Sequence, residues 1–287
     1  MTDITAAHRF VTLHARLIDR RRITGDAALI RAALAAYQNA DGGIAYLEPD
    51  LPDPASQPIA ALAALEVLHE IGAPADDLLL TGIAGWLAGV TGADGGLPAV
   101  LPYDPDVIPH APWMAPVADP PPSLLMTAAV AAAAQRAGVG DGPGRAWLDR
   151  ASAFVWERIG RRDPTSGYET KYVIDFLDAA PDRARADAAL DELAAALGRP
   201  AVLRVGGGTD GEVLTALSVT PRPDHAGRRV FDPAAIERQL DELAAGQRDD
   251  GGWMFDWLAW NDAVAWAWRG RITVDAIATL RANGRLG

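Results

Sequence analysis

The hydrophobic residues of this chain recur at helical spacing and predict two kinds of helix. In the stretch DPAAIERQLDELAAGQ, Ile236, Leu240 and Leu243 fall on one face with charged residues opposite, which is typical of a half-exposed helix. Other stretches are apolar on every side and predict helices buried all round, namely 57–68, 122–134 and 260–268. Few segments resemble strands, and residues 202–205 are the best candidate.

A short pattern recurs between the two kinds of helix. It reads Leu, three residues, Gln or Thr, two residues, Asp-Gly-Gly and then a large apolar residue. Its clear copies span 34–44, 87–97 and 243–253, and weaker ones span 161–168 and 205–212. A chain that reverses direction there needs glycine, because the turn requires positive φ. The Asp can bind the N–H groups of its own turn or cap the next helix, and the following apolar side chain is expected to fill the gap between helices.

This alternation predicts an all-α fold that forms a single domain over residues 1–287. Its natural closed solution is an α/α toroid, in which the buried helices form an inner ring and the half-exposed helices an outer ring. The glycine turns would join the two rings. A chain of 287 residues is near the upper limit of what one hydrophobic core supports.

The third copy of the pattern carries a resemblance to a known family. Gln-x-x-Asp-Gly-Gly-Trp at 247–253, with partial copies at Gln38 and Thr91, resembles the QW-type repeat of the prenyltransferase and squalene–hopene cyclase superfamily. The partial copies have Ile44 and Leu97 in place of the Trp. The resemblance covers most of the chain and implies a toroid around an apolar cavity, with an isoprenoid or other long apolar small molecule as its ligand.

The catalytic motifs of that family are missing from the sequence. Prenyltransferases bind zinc through Asp, Cys and His, and the absence of cysteine argues against zinc-dependent prenyl transfer. Class II terpene cyclases use Asp-x-Asp-Asp, which does not occur, and Asn261-Asp262 is nearest to its place in the repeat. No Gly-rich phosphate loop is present, which favours a neutral substrate. No cofactor is therefore expected, although scattered acids leave an oxygen-ligated Mg²⁺ open.

Three carboxylates are candidates for the acid of a proton-initiated cyclisation or isomerisation. Asp175 lies within an apolar helical stretch, where burial would raise the pKa of its carboxyl group and retain the proton. The alternative for Asp175 is a surface position or a bond to Lys171, one turn earlier. Asp256 and Asp262 flank the Trp-rich turn, where they could instead cap helices.

Aromatic side chains are the expected lining of such a site, because their faces stabilise cations. The candidates for substrate binding are Tyr172, Phe176, Trp113, Trp257, Trp260 and Trp268, together with His110. For any one tryptophan, packing between helices is the alternative. Two of these residues belong to the proline-rich segment 101–123, which cannot be helical. That segment could be a lid over one mouth of the ring or an ordered insertion.

Charge and hydropathy exclude several other functions. The net charge of −12 argues against a nucleic-acid partner, which would need clustered Lys and Arg. No signal-peptide pattern and no uninterrupted apolar run of about 18 residues is present, so a cytoplasmic protein without a transmembrane segment is expected. The alternative to an enzyme is a non-catalytic toroid that binds an apolar ligand or a protein. The sequence predicts no particular oligomeric state.

Overall fold

The structure is a computed structural model that describes residues 2–139, 143–161, 166–206 and 212–286. It is mostly helical, which confirms the expected all-α class. The helices in these ranges are α1 (Ile4–His14), α2 (Leu17–Arg22), α3 (Ala27–Ala35), α4 (Pro58–Glu70), α5 (Leu78–Val90), α6 (Leu124–Arg136), α7 (Pro143–Gly160), α8 (Gly167–Ala179), α9 (Arg183–Leu197), α10 (Ala216–Val219), α11 (Pro233–Ala245) and α12 (Asp262–Ala282).

Two short antiparallel pairs of strands lie between helices of the described ranges. Strand β1 (Leu97–Pro98) pairs with β2 (Pro122–Ser123), and β3 (Val202–Arg204) pairs with β4 (Val213–Thr215). The strand expected at 202–205 is therefore confirmed. The proline-rich segment contains no α-helix, as expected. It has one 3-10 turn, at Pro112–Met114.

The chain divides into two compact units. The first unit consists of Met1–Asp26, Ser166–Asp178 and Asp182–Gly287, and the second of Ala27–Thr165 and Ala179–Pro181. In the second unit, the buried helices α4 and α6 pack on each other, and α6 also packs on α7. In the first unit, α12 packs on α1, α2 and α11.

The predicted burial of the helices is confirmed for two of the three apolar stretches. Helices α4 and α6 are buried on nearly all sides, and in α6 every residue from Met126 to Ala134 is buried. The third prediction was wrong, because Asp262, Ala263 and Trp266 at the start of α12 are exposed. Helix α12 begins roughly two turns before Gly270, where it meets α1 and α2 at Ala15. Its first turns contact α1 through Trp266, whose ring stacks on His14 with centroids 4.7 Å apart, and Trp266 is still 42% exposed.

Helix α11 has the half-exposed character that its pattern predicted. It buries Ala235, Ile236 and Leu240, and its charged residues face outward. The Asp232 side chain caps it by accepting a hydrogen bond from the Ala234 N–H at 2.9 Å. Pro233 occupies the first position, where a missing N–H costs nothing.

The three clear copies of the repeat fold into the same turn. Gly42, Gly95 and Gly251 have φ angles of +87°, +90° and +95°, as the pattern required. In each copy the preceding Asp accepts a hydrogen bond from the N–H of the second glycine, at 2.9, 3.0 and 3.0 Å. The Asp therefore binds its own turn and does not cap the next helix. The weaker copies fall partly on residues 162–165 and 207–211, outside the described residues.

Each first glycine also touches the backbone of another helix. A Cβ atom there would lie 2.7 Å from the carbonyl oxygen of Gly82 in α5, 2.5 Å from that of Arg150 in α7, or 2.3 Å from that of Ala6 in α1. Four residues further along each of these helices, an aromatic ring covers the second glycine; the rings are those of Trp86, Phe154 and Phe10. The first and second turns thus contact α5 and α7, which follow them in the chain. The third turn makes the same contact with α1, which precedes it.

The Gln or Thr of the pattern bonds to the same helix as the turn. Gln38 Nε2 donates to the carbonyl oxygen of Leu79 in α5 at 3.2 Å. Gln247 bonds to the backbone of Asp3, just before α1. In the second copy, Thr91 Oγ1 instead accepts a hydrogen bond from Trp147 Nε1 in α7 at 2.7 Å. The threonine side chain is shorter than that of glutamine, and the bond to the neighbouring helix is made by the Trp147 side chain of that helix.

Trp253 fills the gap between helices, as expected of the residue after the glycine pair. Its side chain is 3% exposed, and its Nε1 donates to the carbonyl oxygen of Leu243 at 2.8 Å. The Trp253 N–H donates to Oγ1 of Thr273, a buried residue of α12. Leu97 makes the equivalent bond to Thr127 of α6 at 2.8 Å. The ring packs with Ala7, Ala276, Ile277 and Leu280.

Candidate functional site

Helix α8 carries the candidate site of the first unit. One side of the helix is built into the core through Val173, Ile174, Phe176 and Leu177. Tyr168, Tyr172 and Asp175 are half-buried and follow each other at spacings of four and three residues, so they share one face. Polar groups on this face are neither in bulk solvent nor in the packed core.

The start of α8 is fixed by two local features. Ser166 Oγ accepts a hydrogen bond from the Glu169 N–H at 3.2 Å, and its carbonyl oxygen accepts one from Thr170 Oγ1 at 2.9 Å. A Cβ atom on Gly167 would lie 2.4 Å from the carbonyl oxygen of Arg204, so only glycine lets the helix approach β3 this closely. This approach places Tyr168 next to the β3–β4 hairpin.

Tyr168 and Glu212 form the closest polar contact of this site. The Tyr168 hydroxyl donates to Glu212 Oε1 at 2.6 Å. Burial raises the pKa of Tyr168 well above its usual value, and the hydrogen bond to Glu212 raises it further. Tyr172 and Asp256 act in the same direction. Tyr168 is therefore a protonated donor held against a carboxylate.

This pair could not be predicted from the sequence, because the two residues are 44 positions apart and the contact depends on the hairpin. The only local signal was the spacing of Tyr168 and Tyr172, which puts both rings on the face of Asp175.

The three predicted carboxylates have different surroundings. Asp175 is half-buried on the Tyr168 face of α8. Asp256 is exposed, yet it lies close enough to Tyr168 to influence its pKa. Asp262 is exposed as the first residue of α12, and Asn261 is the N-cap, accepting from the Val264 N–H at 2.9 Å. The structure thus brings Asp175 and Asp256 to the Tyr168 site and leaves Asp262 at a helix end.

Two of the predicted aromatic residues of the first unit, Trp257 and Trp268, are in contact with each other. Trp257 meets Trp268 edge to face, with centroids 5.1 Å apart, and Phe255 lies 4.8 Å from Trp257. The Arg271 guanidinium lies over the Trp268 ring at 5.3 Å, so a cation already occupies that face. Trp260 is half-buried, whereas Phe176 is fully buried on the core side of α8.

The proline-rich segment in the second unit is held by its own contacts. Tyr103 donates from its hydroxyl to the carbonyl oxygen of Met114 at 2.7 Å. His110 meets the Tyr103 ring edge to face at 5.4 Å, and its Nδ1 lies 3.0 Å from the carbonyl oxygen of Ile108. Trp113 is 49% exposed. These contacts connect the two halves of the segment to each other.

A buried acidic segment, which the sequence pattern did not predict, precedes α4. Glu48, Asp50 and Asp53 are 3%, 4% and 2% exposed. Asp53 accepts hydrogen bonds from the Ala55 N–H and from Gln57 Nε2, both at 2.8 Å. Acids between prolines are typical of exposed turns. The neighbouring apolar residues Leu47 and Leu51 are buried with them.

The same segment is joined to the proline-rich loop. Gln57 Oε1 accepts from the Leu101 N–H at 2.9 Å, and Gln57 Nε2 donates to the Leu101 carbonyl oxygen at 3.2 Å. Burial, with the nearby charge of Asp53, raises the pKa of Tyr103. The two segments therefore fold as one layer at the start of α4.

The described ranges contain neither a metal-binding cluster nor a membrane-spanning helix. No group of three or more acidic or histidine side chains there is arranged to hold a metal ion. No helix in the same ranges combines the length and the apolar character needed to span a bilayer.

Among known proteins, solved structures are similar to this chain in fold. No protein-family profile matches the chain, and no curated protein matches it in sequence. A solved structure described as the crystal structure of a protein from Actinoplanes is similar, with a TM-score of 0.53 and 18% identity. The match covers 98% of this chain and 89% of that chain. At this identity, the likeness supports a common fold and carries no activity with it.

Proposed function

We propose that the chain forms an α/α toroid that binds a long apolar, isoprenoid-like molecule and acts on it by proton transfer. The alternation of buried and half-exposed helices supports the toroid. So does the third glycine turn, which docks on α1 as the earlier turns dock on α5 and α7. The proposed reaction is a cyclisation or isomerisation of an alkene and needs no cofactor.

The observation that carries the proposal is the half-buried face of α8. Tyr168, Tyr172 and Asp175 share this face on a helix whose other side is core. In the proposed reaction, Asp175 donates its proton to a carbon–carbon double bond and leaves a carbocation on the substrate. The cation then loses a proton from a neighbouring carbon to the Tyr168 oxygen, as the Tyr168 hydroxyl passes its own proton to Glu212.

A specific observation favours a second candidate, a non-catalytic toroid that binds an apolar ligand. The Arg271 guanidinium lies over Trp268, and a fixed positive charge there opposes a carbocation next to that ring. In this case the aromatic cluster supplies apolar contact area and no cation stabilisation.

Incubation in D₂O tests the proposal directly. Farnesol, geranylgeraniol and squalene would each be supplied, and the products analysed by mass spectrometry. Proton-initiated chemistry introduces one deuterium atom from the solvent into the product. Asp175→Asn should abolish the labelled product, whereas Asp149→Asn, an exposed acid on α7, should leave it unchanged.

The outcomes separate the two candidates. Quenching of tryptophan fluorescence by a polyene without any labelled product would support the non-catalytic binder. Neither quenching nor product with any of the three polyenes would overturn both. Equal product from Asp175→Asn and the native protein would remove Asp175 from the mechanism.

A further inference from the structure

A groove in the first unit lies outside the α8 site. It has a volume of about 240 Å³ and is lined by Arg228, Arg229, Pro233, Ile236 and Glu237. Pro233, Ile236 and Glu237 come from the first turn of α11, and the two arginines come from the 3-10 turn Ala226–Val230. The groove therefore has a cationic wall and a partly apolar wall.

Arg228 is held in place by neutral oxygen atoms alone. Its Nε donates to the Thr220 carbonyl oxygen at 3.2 Å, and its Nη2 donates to the Pro221 carbonyl oxygen and to Asn283 Oδ1 at 3.3 and 2.7 Å. A guanidinium has five N–H donors, so the two on Nη1 have no acceptor among the described residues. Arg228 thus has a fixed position and spare donors.

The charge of Arg228 is also incompletely balanced. Burial lowers its pKa, and the more distant charges of Glu237 and Asp224 offset this only in part. The other charged groups of the groove have close partners. Arg229 lies 3.3 Å from Asp187 and 3.5 Å from Asp191, and Arg285 lies 2.7 Å from Glu237. Arg228 is therefore the group that an added anion would neutralise.

We propose that this groove binds a phosphate-type oxyanion, with Arg228 Nη1 as the main donor. Since Nε and both donors of Nη2 are already bonded, Nη1 offers the remaining charge-assisted N–H groups, and a phosphate with two negative charges gains more from the guanidinium charge than a monoanion does. The helix end does not supply the attraction, because the Ala234 N–H already bonds to the Asp232 side chain. The site does not depend on the chemistry proposed for α8.

Calorimetric titration with inorganic phosphate at constant ionic strength tests the site, with sodium chloride as the salt control and acetate as a carboxylate probe. The native protein should bind phosphate, and Arg228→Gln should weaken binding about tenfold or more, because a charge-assisted hydrogen bond is lost. Arg222→Gln is the matched control, since Arg222 is exposed and paired with Asp224. It should bind phosphate as the native protein does.

A second variant keeps the test decisive if Arg228→Gln fails to fold. Glu237 is exposed and lines the groove, so Glu237→Gln removes a competing negative charge without altering the core. It should bind phosphate several-fold more tightly. The proposal is overturned if phosphate gives no more heat than chloride, if acetate binds better than phosphate, or if Glu237→Gln leaves the affinity unchanged.

Discussion

Gln247 binds the backbone of Asp3 through both ends of its side-chain amide. Its Oε1 accepts from the Asp3 N–H at 2.7 Å, and its Nε2 donates to the Asp3 carbonyl oxygen at 2.8 Å. The two residues are 244 positions apart, so this contact joins the segment before α1 to the segment that follows α11. The same Nε2 also donates to the Gly251 carbonyl oxygen at 2.9 Å, so Gln247 connects Asp3 to the third glycine turn.

Gln247→Ala should therefore destabilise the protein by about 1–2 kcal/mol. The variant loses three hydrogen bonds, but water can reach the freed Asp3 groups because that contact is exposed. Urea unfolding followed by circular dichroism measures the change. Arg248→Ala, in the same turn and exposed, is the control and should be neutral. Equal stability of the two variants would contradict a role for Gln247 in holding α1.

The contact between the third turn and α1 can be separated from the strain of the turn. Gly251→Ala places a Cβ 2.3 Å from the Ala6 carbonyl oxygen at φ +95°, so α1 must move. Gly25→Ala has a similar strain at φ +72° but meets nothing within 4 Å. We expect a cost of about 1 kcal/mol for Gly25→Ala and about 3 kcal/mol or more for Gly251→Ala. Equal losses in thermal unfolding would show that close approach is unimportant.

The turns were predictable because glycine and Asp-Gly-Gly have a strong local meaning. Positive φ at Gly42, Gly95 and Gly251 depends on the missing side chain alone, so it could be read from the sequence. The helix that each turn contacts was not predictable, because no residue near Gly251 in the sequence indicates that this turn packs on Ala6 of α1. Such contacts depend on how the whole chain folds.

The candidate site was predictable only in part, for a related reason. The face shared by Tyr172 and Asp175 follows from helical spacing, whereas Glu212 reaches Tyr168 through a hairpin. The burial expected for the apolar run 260–268 was wrong because composition does not show how much of each side chain a neighbouring helix covers. Trp266 stacks on His14 of α1 and is still 42% exposed. The burial of Glu48 and Asp50 follows neither from helical spacing nor from the composition of their segment.

Tyr168 should make stability fall at high pH. Its pKa is raised in the folded protein, so the folded state keeps a proton that the unfolded chain loses above about pH 10. The stabilisation from Tyr168 is thus complete below pH 10 and is lost as pH rises toward its folded pKa. Between pH 9 and 11, the urea midpoint should fall less in Tyr168→Phe than in the native protein. Tyr46→Phe, at a 54% exposed tyrosine, should keep the native slope.

Asp250 gives the opposite dependence on pH. Burial alone would raise its pKa, but the Gly252 N–H and the Arg269 guanidinium outweigh burial and lower it. Nη2 of Arg269 lies 2.8 Å from both carboxylate oxygens, and Arg269 is only 9% exposed. This stabilisation is therefore present at neutral pH and is lost as pH falls below about 3.9, the ordinary pKa of Asp.

Asp250→Asn should accordingly cost about 1–2 kcal/mol at pH 7, a value reduced because the Asp250 side chain is 43% exposed. The difference from the native protein should shrink as pH falls below about 3.9 toward the lowered pKa of folded Asp250, because the carboxylate then takes up a proton. Asp94→Asn is the matched control, because Asp94 makes the same bond to its turn at 3.0 Å without an arginine partner among the described residues. An Asn oxygen can still accept that bond, so Asp94→Asn should cost only a few tenths of a kcal/mol. Equal losses from the two substitutions at pH 7 would mean that the turn, and not Arg269, accounts for the effect.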